Sequence, residues 1–194
     1  MKNNHVDIVD PGQARWLKSY YFIRAGFSVL WVAAVFAWGR NVPALMATLL
    51  VVYPAWDAAA NCVDAVRSGG LSRNRMQALN VLISLAAALA VLLALQADSR
   101  HVLEVFGAWA ILSGLLQLGT AIHRWKSYGA QWAMILSGGQ SALAGGLFIA
   151  RALAPTPPPL ASVAGYAAVG AFYFLISALW LTVGERRRKA VAVP

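Results

Sequence analysis

Six long runs of apolar residues alternate with short polar segments along the chain. The runs cover residues 16–38, 42–66, 76–96, 102–122, 128–150 and 161–184. A helix needs roughly 20 apolar residues to cross the hydrocarbon core of a bilayer, and each run is long enough. The runs are nearly continuous in apolar residues and lack the in-out alternation that is typical of a membrane β-barrel. The pattern therefore predicts an all-α integral membrane protein with six transmembrane helices.

The composition supports this class. Of the 194 residues, 60% are hydrophobic and 12% are charged, against roughly 45–50% and about 25% in soluble domains.

The gaps between the runs are too short for a soluble domain. We therefore divide the chain into an N-terminal tail of residues 1–15, a transmembrane domain of residues 16–184, and a basic C-terminal tail of residues 185–194. The first tail lacks an apolar segment, so we expect no cleaved signal peptide.

The basic residues are concentrated in alternate gaps, and this sets the predicted orientation. Those on one side of the predicted bundle are Lys2, Arg15, Lys18, Arg67, Arg73, Arg75, Arg124, Lys126, Arg186, Arg187, Arg188 and Lys189. The other gaps hold only Arg40, Arg100 and Arg151. Because loops rich in Lys and Arg stay in the cytoplasm, we predict a multi-pass protein of the bacterial inner membrane with both termini inside. The net charge of +9 then reports topology, and we expect no nucleic-acid partner.

Polar positions recur with the same spacing in different runs, which indicates an internal repeat. In the odd runs a polar residue is followed four positions later by Ser, as in Arg24 and Ser28, Asn80 and Ser84, and Ser137 and Ser141. In the even runs four positions share a 4, 3, 3 spacing: Asp57, Asn61, Asp64 and Arg67; Ser113, Gln117, Thr120 and His123; Ser177, Leu181, Gly184 and Arg187. This spacing follows one helix face. It predicts three repeated helical hairpins, at about 16–66, 76–122 and 128–184.

Ionisable residues within the first two runs predict an intramembrane polar cluster. Charged groups at such depth are costly and normally pair. Arg24 and Asn61 each lie about 9 Å inside the basic residues that flank their runs, so in an antiparallel hairpin Arg24 can reach Asp57 or Asp64. The predicted cluster comprises Arg24, Asp57, Asn61, Asp64 and Gln117.

Two interpretations of this cluster remain open. In one, a permanent ion pair fixes the register of the first hairpin. In the other, Asp57 responds to protons or faces a substrate, and Arg24 holds it in place. Burial disfavours the charged form of a carboxyl group, whereas a nearby guanidinium favours it. The sequence alone therefore does not separate these two roles.

Small residues and the absence of catalytic motifs complete the prediction. Gly138, Ala142 and Gly146 recur at every fourth position of the fifth run, a pattern typical of close helix packing in membranes. Cys62 is the only cysteine, so it forms no internal disulfide. No phosphate-binding, metalloprotease or Cys-x-x-Cys motif occurs. We predict a protein that is not an enzyme, with no catalytic, metal or cofactor site.

The chain resembles the HdeD-like family of small bacterial inner-membrane proteins. The resemblance rests on three helical hairpins, on Arg-Ala-Gly at 24–26, and on Gly-Ala-Trp-Ala-Ile-Leu-Ser-Gly at 107–114, and it covers about residues 16–184. The founding member is associated with acid resistance at high cell density, and its molecular activity is not established. The resemblance implies a non-enzymatic membrane protein of envelope or acid stress, and it implies no catalytic residue.

Two other function classes stay open at this stage. One is a small-molecule or ion transporter or channel whose path is lined by Arg24, Asp57 and Asp64. The other is a membrane scaffold or assembly partner, which the short loops favour. In each case the expected partners are the lipid bilayer and either a second copy of the chain or another membrane protein.

Overall fold

The computed structural model describes residues 11–125 and 130–191, with the side chains of residues 11, 13, 14 and 188–191 left out. Six long helices make up most of this part of the chain: α1 (Pro11–Ala34), α2 (Pro43–Arg67), α3 (Arg75–Ala94), α4 (Ser99–His123), α5 (Gln131–Ala152) and α6 (Val163–Val191). A π-helical turn, Val35–Gly39, extends α1, and a 3-10 turn, Leu160–Ser162, precedes α6. No strand occurs in the described ranges. The predicted all-α, six-span class is therefore confirmed.

The helix ends agree closely with the predicted runs, apart from the start of the first helix and the end of the last. The helix α1 begins at Pro11, five residues before the predicted start at Trp16 and within the predicted N-terminal tail. The helix α6 continues beyond the predicted end at residue 184, because the basic segment after it stays helical up to Val191. The predicted start of the fifth run at Tyr128 lies outside the described residues, as do Lys2 and Lys126 of the orientation argument.

The outer surface of the helices is apolar. Six helices are long and apolar enough to cross a bilayer, with mean hydropathy between 1.3 and 2.2 over their most apolar windows. Large side chains such as Leu30, Leu82 and Leu143 are each more than half exposed. Such surface is unfavourable in water and is typical of contact with lipid. The chain is a multi-pass integral membrane protein.

The six helices form a ring. Around it, α1 packs against α6, α6 against α5, α5 against α4, α4 against α3, and α3 against α2. The ring closes between α2 and α1, which approach each other less than the other neighbours do. The tightest pairs, α4 with α5, α1 with α6 and α2 with α3, join different predicted hairpins. The three-fold repeat stays a prediction.

Polar contacts show that the helices run alternately up and down. At one end, Lys18 at the start of α1 forms a 2.5 Å ion pair with Glu185 of α6. At the other, the guanidinium of Arg100 donates to the carbonyl oxygen of Pro155 at 2.9 Å, which joins the start of α4 to the α5–α6 connection. We call the end with Lys18 and Glu185 the terminal end of the bundle, because α1 begins there and α6 ends there, and the other end the opposite end.

Glycines allow α4 and α5 to approach closely. A Cβ on Gly114 would lie 2.6 Å from the carbonyl oxygen of Gly138, and a Cβ on Gly138 would lie 2.6 Å from that of Gly114. Ala142 lies on the same face, with its backbone nitrogen 2.9 Å from that Cβ position on Gly114. The prediction for Gly146 is wrong: it is exposed and has no neighbour within 4 Å of its Cβ position. Its neighbour Gly145 is buried against α4 instead, because the contact face follows the 3.6-residue helix period.

Two apolar clusters lie at different heights in the ring. One fills the opposite end and includes Trp31, Leu50 and Phe106. The other lies toward the terminal end and includes Leu17 and Phe174. Most of the buried polar side chains lie at heights between these clusters or beside the second one, and they form the candidate site.

Candidate functional site

A tight turn sets the register of the polar faces of α2 and α3. Gly69 and Gly70 have φ values of 104° and 96°, which glycine adopts without a steric penalty. The backbone N–H of Gly70 donates to the carbonyl oxygen of Ala65 at 2.9 Å. The side-chain amide of Asn74 donates to the carbonyl oxygens of Ala65, Ser68 and Gly70 at 3.3, 3.0 and 2.8 Å. Polar residues of α2 therefore face polar residues of α3 in antiparallel register.

Asp57 is the centre of the first polar group and is only 6% exposed. It forms an ion pair with Arg24 of α1. Its other carboxylate oxygen accepts hydrogen bonds from Ser84 Oγ at 2.8 Å, Asn80 Nδ2 at 3.0 Å and Asn61 Nδ2 at 3.1 Å. All four partners donate, which matches the acceptor-only chemistry of a carboxylate. Asp57 thereby joins α1, α2 and α3 at one point.

The structure settles which aspartate meets Arg24. The guanidinium pairs with Asp57, donates to the hydroxyl of Tyr20 at 3.0 Å, and lies 4.4 Å from the centre of the Phe174 ring. A guanidinium over an aromatic face is stabilised by the ring's electron density. Arg24 is thus held from α1, α2 and α6, and Asp64 has a different partner.

Asp64 is the centre of a second polar group, two helical turns nearer the terminal end. It is 3% exposed and forms a 2.9 Å ion pair with Arg124 at the end of α4. It also accepts from Gln77 Nε2 at 3.1 Å and from Trp16 Nε1 at 3.4 Å. A second nitrogen of Arg124 donates to Ser68 Oγ at 3.2 Å. This group connects the terminal ends of α1, α2, α3 and α4.

Sequence reasoning missed Arg124 as a site residue. It was counted among the basic residues that set orientation, and a basic residue just after a span is usually exposed to solvent. One feature of the sequence indicates a second basic residue at the site. Two buried carboxylates need two cations, and Arg24 supplies only one. Gln77 was also missed, although it lies one turn before Asn80 on α3.

A cavity of about 80 Å³ lies beside these two groups and is lined by all six helices. A water molecule needs roughly 10–15 Å³ by this measure, so the cavity holds several waters or one small solute. Arg24, Asp57, Asn61, Asp64 and Gln117, the predicted cluster, all line it. Gln117 does so from α4, where its Nε2 donates to the carbonyl oxygen of Met134 at 3.3 Å. The five residues thus share one cavity, although Gln117 is not bonded to the carboxylates in any contact described.

Aromatic side chains close the cavity toward the opposite end. The indole N–H of Trp109 donates to Ser84 Oγ at 2.9 Å, directly beneath Asp57. The rings of Tyr53 and Trp109 meet edge to face, with centres 5.9 Å apart, and Trp31 packs on Tyr53 at 4.7 Å. The apolar cluster that fills the opposite end begins at these rings.

Three polar atoms in the cavity wall have no hydrogen-bond partner. Within the described part of the chain, the buried unpartnered side-chain atoms are Trp56 Nε1, Asn80 Oδ1, Ser113 Oγ and Ser162 Oγ. The first three belong to residues that line the cavity. Asn80 and Ser113 are only 6% and 8% exposed, so bulk water does not account for them. Buried polar groups in proteins nearly always have a partner, and these three can bind a molecule in the cavity.

The described residues contain no group of three or more His, Cys, Asp or Glu side chains that could hold a metal ion. The lining of the cavity offers amides, hydroxyls, aromatic rings and two ion pairs, which suits binding of a polar molecule by hydrogen bonds.

Comparisons with known proteins assign no relative to this chain. No protein-family model, curated protein or solved structure matches it.

Proposed function

We propose that this membrane protein binds a small polar solute in its central cavity and carries it across the bilayer. One observation carries the proposal: three of the residues that line a cavity shared by all six helices each carry a buried polar atom without a protein partner. A bundle that served only as a structural anchor would gain stability by pairing those atoms or by replacing them with apolar groups.

The ion pairs support this function by shaping the cavity. Asp57 and Asp64 each form an ion pair with an arginine, from α1 and from the end of α4 respectively, and accept further hydrogen bonds from side chains of neighbouring helices. These contacts connect α1 and α4 to the α2–α3 pair and keep the ring open at its centre. Of the two interpretations of the cluster, they favour the permanent ion pair, and the solute then binds beside the charges.

The distribution of apolar packing suggests how the solute passes. The cavity lies toward the terminal end, and the opposite end is filled by Trp31, Leu50 and Phe106. A solute that enters at the terminal end leaves at the other only after those side chains rearrange, as in alternating access. By the positive-inside rule, the terminal end faces the cytoplasm of a bacterial inner membrane.

The HdeD-like resemblance concerns physiology and is compatible with this activity. An envelope or acid-stress role remains a prediction that rests on short motifs alone. The scaffold alternative also remains, without a described surface that favours it.

Flux through purified protein in liposomes tests the proposal. Vesicles with and without protein are offered neutral, anionic, cationic and zwitterionic solutes of three to six heavy atoms. We expect at least one to enter faster with protein, and Ser113→Leu, which adds bulk to the cavity wall, to abolish that gain. Ala108→Leu adds similar bulk to an exposed position of the same helix and serves as the matched control. If no solute enters faster through protein that is folded by circular dichroism, the proposal fails.

A further inference from the structure

The charged residues that line the cavity balance one another. They are two arginines and two aspartates, joined as Arg24 with Asp57 and Arg124 with Asp64. Both carboxylates already accept several hydrogen bonds from the protein. An ion in the cavity would face no uncompensated opposite charge, and burying an unpaired charge is strongly unfavourable. The electrostatics therefore favour an uncharged solute.

The unpartnered atoms define what that solute must offer. The carboxylate of Asp57 only accepts, so the amide of Asn80 must turn its nitrogen toward it, which leaves Asn80 Oδ1 as an acceptor. The indole N–H of Trp56 is a donor, and the hydroxyl of Ser113 is both donor and acceptor. A molecule that satisfies all three must carry at least one O–H or N–H donor and at least one oxygen acceptor.

Helix geometry places two of these atoms at the same height. The Trp109–Ser84 hydrogen bond joins α3 and α4 at one level. Asn80 is four residues before Ser84, and Ser113 is four residues after Trp109. Because α3 and α4 are antiparallel, both steps lead about 6 Å toward the terminal end. Asn80 and Ser113 therefore face the cavity from adjacent helices, one level above the Ser84 contact.

Aromatic rings form part of the remaining wall. Trp56 stacks on Phe27 with ring centres 4.4 Å apart, which restricts the plane of the indole ring. Trp109, Tyr166 and Phe174 also line the cavity. Binding sites of this kind combine apolar and aromatic walls with a few polar groups that fix orientation. Flat rings suit the C–H groups of a small polyol or the planar face of a small amide.

We infer that the solute is a small uncharged molecule that both donates and accepts hydrogen bonds, of the short polyol or urea-like amide class, held by Trp56, Asn80 and Ser113. This inference rests on the proposed function, because it names the class of molecule that the same cavity binds. The volume of about 80 Å³ sets the size at a few heavy atoms.

Stopped-flow light scattering of proteoliposomes tests the inference, with glycerol and urea as the neutral probes. Sodium, chloride and the zwitterion glycine are the probes that carry charged groups. The two ions are followed with a potential-sensitive dye, and glycine is followed with radiolabel. Two variants remove a single polar group each: Ser113→Ala removes the hydroxyl, and Trp56→Phe removes the N–H while keeping a ring to stack on Phe27. We expect glycerol or urea to enter faster with protein, and each variant to slow that entry roughly two- to tenfold, the effect of one hydrogen bond.

The controls make the same chemical changes away from the cavity. Ser19→Ala changes an exposed serine that bonds the backbone of its own helix, and Trp132→Phe changes a half-buried tryptophan that packs on Trp180. Both should leave entry unchanged.

Four results overturn the inference. Entry of a charged probe alone would refute the solute class and leave the proposed function standing. Entry of water without glycerol or urea would mean that water alone satisfies the unpartnered atoms. If both cavity variants leave the entry of glycerol or urea unchanged, Trp56 and Ser113 do not bind the solute. Entry of no probe at all would refute the proposed function as well.

Discussion

Replacing Asp57 by Asn tests whether the buried ion pair holds the ring of helices together. The carboxylate pairs with Arg24 through one oxygen and accepts three hydrogen bonds through the other. An asparagine must turn its NH2 group toward one of these two sides, so a donor faces donors in either rotamer. Both side chains of the pair are at most 12% exposed, so the variant also leaves a buried guanidinium without a counter-ion. Breaking one side of a buried ion pair costs about 3–5 kcal/mol.

The assay is reversible unfolding in mixed detergent micelles, followed by tryptophan fluorescence. The control Asp98→Asn changes an exposed carboxylate at the start of α4, where Asp98 accepts the backbone N–H of Arg100 at 3.0 Å. That contact lowers the pKa of the Asp98 carboxyl, and asparagine caps a helix about as well as aspartate. We expect Asp57→Asn to lower the free energy of unfolding strongly and the control to change it little. The double variant Arg24→Leu/Asp57→Leu removes both charges and should recover part of the lost stability. A loss for Asp57→Asn no larger than that of the control would refute the reasoning.

Three further predictions concern other parts of the molecule. Gly114→Leu should force α4 and α5 apart and destabilise the fold by at least about 1–3 kcal/mol, whereas Gly146→Leu on the exposed face should have little effect in the same unfolding assay. Arg124→Leu should leave Asp64 without its cation and cost about 3–5 kcal/mol, and Arg67→Leu, a change at an exposed basic residue, should cost far less. The HdeD-like resemblance predicts that dense cultures lacking the protein survive an acid challenge less well than the wild type. Equal survival would remove that physiological interpretation.

The fold class could be predicted from the sequence because a bilayer imposes one simple requirement. Each span must be apolar over the thickness of the hydrocarbon and must satisfy its backbone hydrogen bonds internally. Both conditions can be checked within a single segment of the chain. The limits of the six helices could therefore be predicted to within a few residues in most cases, without knowledge of how the helices pack.

How the helices pack depends on which of their faces meet. The sequence predicts this packing less completely than it predicts the limits of the helices. The sequence predicts that consecutive helices pack as hairpins, yet α1 packs chiefly on α6. Its contacts with α2 are made by long side chains, such as Arg24 with Asp57 and Phe27 with Trp56. The small residues of α5 indicated a packing face correctly at Gly138, but a strict four-residue step drifts off a 3.6-residue helix. The drift explains why Gly145, and not Gly146, meets α4.

In the polar cluster, too, the sequence indicates contacts within one hairpin better than contacts with distant helices. The need to pair buried charges indicated Arg24 and two candidate partners, Asp57 and Asp64, because depth can be estimated within a single hairpin. Only the structure shows that the partner is Asp57. The partner of Asp64 comes from α4, sixty residues further along the chain, and no local pattern distinguishes Arg124 from the basic residues that flank other spans. The unpartnered atoms of Trp56, Asn80 and Ser113 were still less accessible, because an unsatisfied group can be recognised only after every neighbour has been placed. In a membrane bundle, a buried charge can thus be recognised from its depth in a span, whereas its partner on a distant helix and the residues available to a solute emerge only from the packed structure.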